Sequence, residues 1–78
     1  MDAAKLARLK ETIAHGTSAI ETFARIEEEL RSMTNGIPDE GSRARIADMI
    51  RTNQEIIATT KKRMAFAEHQ IEVLKGGI

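Results

Sequence analysis

"TNGIPDEGS", residues 34–42, is the one strong interruption in an otherwise helical pattern, and its reading decides the fold. Asn35 and Gly36 are the residue types that close a helix in a left-handed C-terminal cap. Pro38 suits a first helical turn, where its missing N–H would be unpaired in any case, and Asp39 and Glu40 bring negative charge to the next helix N-terminus. The stretch predicts a bend over 34–41 that joins helices over 3–33 and 42–75. On both sides apolar residues recur every three or four positions instead of alternating, which disfavours strands. At the far end "KGGI", residues 75–78, predicts a helix stop after Lys75 with Ile78 frayed.

Downstream of the bend, Ile46, Ile50, Asn53, Ile57, Thr60, Met64, Ala67, Ile71 and Leu74 follow at alternating steps of four and three, a coiled-coil register sustained over four heptads. Upstream, Leu6, Leu9, Ile13, Gly16, Ile20 and Phe23 keep the same spacing. After a short step of three the apolar series resumes at Ile26, Leu30 and Met33, which predicts a stammer. Folding the two helices back to back places Phe23 opposite Asn53 and Gly16 opposite Thr60. Large then meets small, as close-packed interiors require. The expected fold is all-α, an antiparallel helical hairpin.

Within the first helix, "AHGTSAIETF", residues 14–23, raises a second question. Gly, Thr and Ser together cost a helix roughly 2 kcal/mol relative to alanines, and Ser18 with Glu21 fits a capping box that would start a new helix. The register nevertheless passes through Gly16 without a skipped residue. The favoured expectation is a continuous helix with Gly16 as a point of close approach. The alternative is a break at 16–18, with a short separate N-terminal helix over 3–15 that swings onto a neighbouring subunit.

With 78 residues, the chain makes a single helical domain over 1–78, too short to bury much apolar surface unless its helices are shared with a partner. No cysteine staples it. On the second helix Met49 and Ile56 flank the seam, and Phe66 and Val73, seven apart, form a further apolar stripe. These four residues are the candidate interaction surface, and they predict packing into an oligomeric helical bundle or onto a helical protein partner. "MDAAKLARLKET" lacks the apolar core of a signal peptide, and no apolar run reaches the roughly 20 residues that span a bilayer. A cytoplasmic chain with no membrane contact is expected.

Catalytic and metal-binding constellations are missing from the sequence. His15 and His69 are its only histidines, and neither sits in the motifs that build zinc or carboxylate-bridged sites. Glu11 with His15, and Glu68 with Glu72, share helix faces at i, i+4 spacing, which is the ordinary pattern of a solvated surface. Ser18, Ser32 and Ser42 carry no nucleophile motif. No enzyme, no cofactor and no metal are expected.

Two charged clusters remain. "RIEEELR", residues 25–31, reads as an exposed face with Glu28 and Arg31 at i, i+3. In "TTKKRM", residues 59–64, Lys61, Lys62 and Arg63 lie together beside Thr59 and Thr60. That cluster is a candidate anion-binding site for a phosphate-bearing ligand, a nucleotide or nucleic acid. Twelve basic and twelve acidic residues cancel over the whole chain, so a local patch would have to do what no global field does. With Phe23 and Phe66 as the only aromatics, a base-stacking platform is hard to build.

The layout of two amphipathic helices around an N-G-x-P-D bend resembles small co-chaperones of secretion systems and phage-encoded accessory proteins. The likeness carries no functional residues over; it is the Met49, Ile56, Phe66 and Val73 surface that leads to the expectation of a non-enzymatic adaptor, a helical hairpin that self-associates or sequesters a partner helix. The alternative expectation is an oligomeric binder of an anionic ligand through the basic cluster.

Overall fold

The computed structural model describes residues 2–76 and contains two long helices packed as an antiparallel hairpin. Helix α1 runs Ala3–Asn35 and α2 runs Glu40–Gly76. The pair is a rod, with Cα extents of 58 × 15 × 13 Å. The bend is shorter than 34–41, because α1 continues two residues past Met33 and α2 begins two residues before Ser42. The stop expected after Lys75 falls at Gly76, and Ile78 lies outside the described residues.

Both helix starts are capped by aspartate. The Asp2 carboxylate accepts from the Lys5 N–H at 3.1 Å, and Asp39 Oδ2 accepts from the Ser42 N–H at 2.9 Å and the Ser42 hydroxyl at 2.8 Å. These bonds pair donors that the first turn leaves without an intrahelical acceptor. They also stabilise the ionised Asp39, whose pKa is held below the usual aspartate value by the Ser42 hydroxyl first and the Ser42 backbone second.

The end of α1 departs from the expected left-handed cap. Gly36 has φ −97° and ψ −2°, in the right-handed region. Its N–H donates to the Met33 carbonyl at 3.1 Å, and the Ile37 N–H donates to that of Thr34 at 3.3 Å. Two successive tight turns consume the orphan carbonyls, so no left-handed residue is needed.

Helix α1 is continuous through "AHGTSAIETF", and no second helix starts at Ser18. The hydroxyls are absorbed along the helix: Thr17 donates to the Ile13 carbonyl at 2.9 Å, and Thr22 to that of Ser18 at 3.1 Å. Gly16 is buried. A Cβ built there would stand 2.6 Å from Met64 Cγ, 2.7 Å from its sulfur and 3.4 Å from Thr60 Cγ2. The glycine lets the backbones approach where α2 presents a methionine and a threonine.

The seam of α2 is the one read from its spacing, with Ile46, Asn53, Ala67 and Ile71 buried and Ile50, Ile57, Thr60, Met64 and Leu74 partly covered. In α1 the expected stammer does not occur. After Phe23 the inward positions are Glu27, Leu30, Thr34 and Ile37, which keep the alternating step, while Ile26 and Met33 are 37% and 54% exposed. An unbroken register keeps one stripe against the partner helix along the whole rod, and this outweighs the apolar character of the two residues left outside. Glu27 is accommodated because its carboxylate reaches outward to Arg31 at 3.1 Å. This i, i+4 pair takes the place of the expected Glu28–Arg31 contact. Thr34 satisfies its own hydroxyl on the Leu30 carbonyl at 3.0 Å.

Candidate interaction surface

Most of the large apolar side chains between the helices are only partly covered. The buried hydrophobic residues are Leu30, Ile46, Ala67 and Ile71, and no large side chain among the described residues is fully enclosed. The exposed large apolar residues are more numerous: Ile26, Met33, Met49, Ile56, Phe66 and Val73. All four residues of the candidate surface are among them.

These six residues share one flank. Ile26 and Met33 each immediately precede an inward residue of α1, and Met49 and Ile56 immediately precede the seam residues Ile50 and Ile57. Two antiparallel helices are related by an approximate two-fold axis perpendicular to their common plane, which returns corresponding flanking positions to the same side. Phe66 and Val73 lie one further step round α2 on that side. On this side an open groove of about 480 Å³ sets Phe66 beside α1, since Leu9 and Thr12 line it together with Thr59, Lys62, Arg63, Phe66 and Ala67 of α2.

On α2 the flank has its own register. Met49, Thr52, Ile56, Thr59, Arg63, Phe66, Gln70 and Val73 follow at steps of three and four, so α2 carries a second coiled-coil stripe beside the one used in the hairpin. Phe66 is 65% exposed, although a phenyl ring is among the most favourable groups to bury. The opposite flank carries Ala7, Ala14, Ala24, Ala47, Ala58 and Ala65 among charged and amide residues, and none of the exposed large apolar side chains.

The basic cluster does not converge. Successive residues of a helix point about 100° apart, so Lys61 falls on the alanine flank, Lys62 on the outer edge and Arg63 on the apolar stripe. Thr60 lies in the seam and donates its hydroxyl to the Ile56 carbonyl at 2.8 Å. Thr59, Lys62 and Arg63 border one groove with Phe66, and Thr59, Thr60 and Arg63 border another with Glu55 and Ile56, so neither groove gathers all three basic residues.

One functional-looking polar contact was not expected. Asn53, 6% exposed, donates its amide to the Phe23 carbonyl at 2.6 Å, thirty residues away in sequence. The spacing put the two positions opposite each other, but nothing in a sequence says that the amide reaches a helix carbonyl already used by its own ladder. A single buried amide of this kind fixes register in coiled coils, since slipping the helices leaves it unpaired. Among the described residues no three His, Asp or Glu gather at metal-binding spacing, and no helix is long and apolar enough to cross a membrane. Comparison with protein-family models, with curated proteins and with solved structures finds no match to this chain.

Proposed function

We propose that this protein is a non-enzymatic helical assembly module whose working surface is the flank bearing Ile26, Met33, Met49, Ile56, Phe66 and Val73, which docks another helical surface, its own or a partner's. One observation carries the proposal: among the described residues, all six exposed large apolar side chains fall on one flank and none on the other. Scattered apolar residues are normal on protein surfaces, but segregation onto one side of a rod marks a face that is covered in use. The small core supports the same conclusion, because a hairpin with four buried apolar residues has little to offset the entropy of ordering its chain.

Folding and association are then coupled, and stability depends on concentration. Phe66→Ser combined with Val73→Ser removes about 1.5 to 3 kcal/mol of association per large side chain. The double variant is expected to run as a smaller species with lower helicity at micromolar concentration, as read by sedimentation and circular dichroism. A wild-type chain that runs as a fully helical monomer of 8.7 kDa, with a melting temperature independent of concentration, refutes the proposal.

Binding of a phosphate-bearing ligand stands as the second proposal. It now rests on Thr59, Lys62 and Arg63, which border the same groove as Phe66. Phosphate binding weakens steeply with salt, whereas apolar docking does not, so a salt series separates the two.

A further inference from the structure

We infer that the occupant of the α2 stripe of the apolar flank is a second copy of this chain, laid antiparallel so that α2 packs on α2, with Met49 opposite the partner's Val73 and Ile56 opposite the partner's Phe66. This rests on the assembly role proposed above and names its partner and register.

The reason is the order of residues along the second stripe. Met49, Ile56, Phe66 and Val73 are separated by 7, 10 and 7 residues, a spacing that reads the same in both directions. A two-fold axis level with residue 61 therefore brings every one of the four onto another of the four. With the apolar positions paired, the alternating step necessarily pairs the polar members among themselves. Thr59 falls opposite the partner's Arg63, and Thr52 opposite the partner's Gln70, so hydroxyl, guanidinium and amide meet each other instead of the apolar residues. Isologous interfaces demand this self-complementarity, and a face evolved for an unrelated helix has no need of it.

Charge and size agree with the pairing. Arg63 forms neither of the two side-chain ion pairs found in the hairpin, which are Arg31–Glu27 and Arg51–Asp48. In the dimer it lies about one helical turn from the partner's Glu55, whose own chain places that carboxylate beside the same stripe. The two α2 helices overlap over residues 46–76, about 45 Å at 1.5 Å per residue. Across a rod 15 Å wide this gives on the order of 700 Å² per copy, within the range of specific interfaces. The same two-fold stacks α1 on α1 level with His15, where the flank is polar, so the apolar contact is carried by α2 and Met33 lies beyond the overlap; neighbouring helices are antiparallel throughout, as in a four-helix bundle.

The chain contains no cysteine, so single cysteines report the register without background. Met49→Cys and Val73→Cys are prepared separately, since both sites are exposed in the hairpin and tolerate a smaller apolar side chain. They are then mixed and mildly oxidised, with sedimentation of the wild type alongside. The expected result is a wild type of twice 8.7 kDa, and a disulfide dimer that forms at least tenfold faster in the mixture than in either variant alone. Faster bridging of Met49→Cys with itself means a parallel dimer and overturns the inference. A wild-type oligomer in which the mixture shows no preferential bridge overturns it too, leaving the assembly role intact with another register or face. A fully helical monomer overturns both.

Discussion

The two stripes of α2 differ in what becomes of their large residues. The inner one, which touches α1, covers Ile46, Ile50, Ile57, Met64, Ile71 and Leu74 and alternates them with Asn53, Thr60 and Ala67 through its middle, while the outer one leaves Met49, Ile56, Phe66 and Val73 exposed. A helix that served only to close a hairpin has no use for the second set. Here the inner stripe sets geometry: Gly16 meets Thr60 and Met64 at close range, and Asn53 locks onto Phe23. The outer stripe leaves Met49, Ile56, Phe66 and Val73 in solvent. Register is built into the single chain, and the assembly proposed above would supply the burial that the outer stripe lacks.

The largest expected effect breaks the inner stripe at its polar lock. Asn53→Asp removes the donor and sets a carboxylate against the Phe23 carbonyl in a buried site, which costs about 3 kcal/mol or more while the group is ionised. Burial beside a carbonyl raises the pKa of the introduced acid above its unfolded value. Between the two values the folded state binds more protons, so stability falls as pH rises through that window and is partly recovered on acidification. Thermal melts of the variant across pH 4 to 8 would check this, and a pH-independent loss would mean that the site is wetter than the structure implies. Asn53→Leu makes the complementary point. It removes donor and desolvation cost together, so its stability stays near or above wild type, while the register of α1 against α2 that the amide fixes should loosen.

Next in size comes the close approach. Gly16→Leu drives a branched side chain into Met64 and Thr60 and is expected to cost about 1 to 3 kcal/mol by overpacking, with the two helices splayed at their open half. Gly16→Ala is far milder, because the methionine can shift and the alanine adds roughly 1 kcal/mol of helix propensity. A leucine variant with an unchanged melting temperature would move the close approach elsewhere along the rod.

A smaller effect sharpens the contrast between flanks. Ala58→Ser with Ala65→Ser on the alanine flank should leave association unchanged and stability within about 0.5 kcal/mol per site, whereas the same residue type at Phe66 and Val73 is expected to dissociate the assembly. Equal responses on the two flanks would show that the segregation of apolar residues has no role.

Much of this was legible in the sequence because a coiled-coil seam is a periodic signal carried by many residues at once. The hairpin, the seam of α2, the continuity of α1 through Gly16 and the facing of Phe23 with Asn53 all follow from that period. The errors arise where one local preference was set against it. Ile26 and Met33 read as interior because they are apolar, yet a rigid rod keeps its register and puts Glu27 and Thr34 inward. Lys61, Lys62 and Arg63 read as a cluster because they are adjacent in the chain, but adjacency on a helix is dispersion around it. From sequence the outer stripe reads as two separate pairs, since Thr59, Arg63 and Gln70 interrupt its apolar character, and its continuous step emerges only with the flank.

The smallest expected effect concerns the bend, where sequence and structure disagree most directly. Were Gly36 left-handed, a Cβ there would be penalised, and Gly36→Ala would cost about 1 kcal/mol or more. Its φ of −97° belongs to a region that alanine occupies freely, and an added Cβ would meet nothing closer than the Met33 carbonyl at 3.8 Å. Alanine also restricts the unfolded chain more than glycine does, which offsets any residual strain. Gly36→Ala is therefore expected to change stability by no more than about 0.5 kcal/mol, with the sign on the stabilising side. Since the bend contributes no residue to the apolar flank, the variant should leave the association state untouched, and a melt that is lowered while sedimentation is unchanged would restore the left-handed cap.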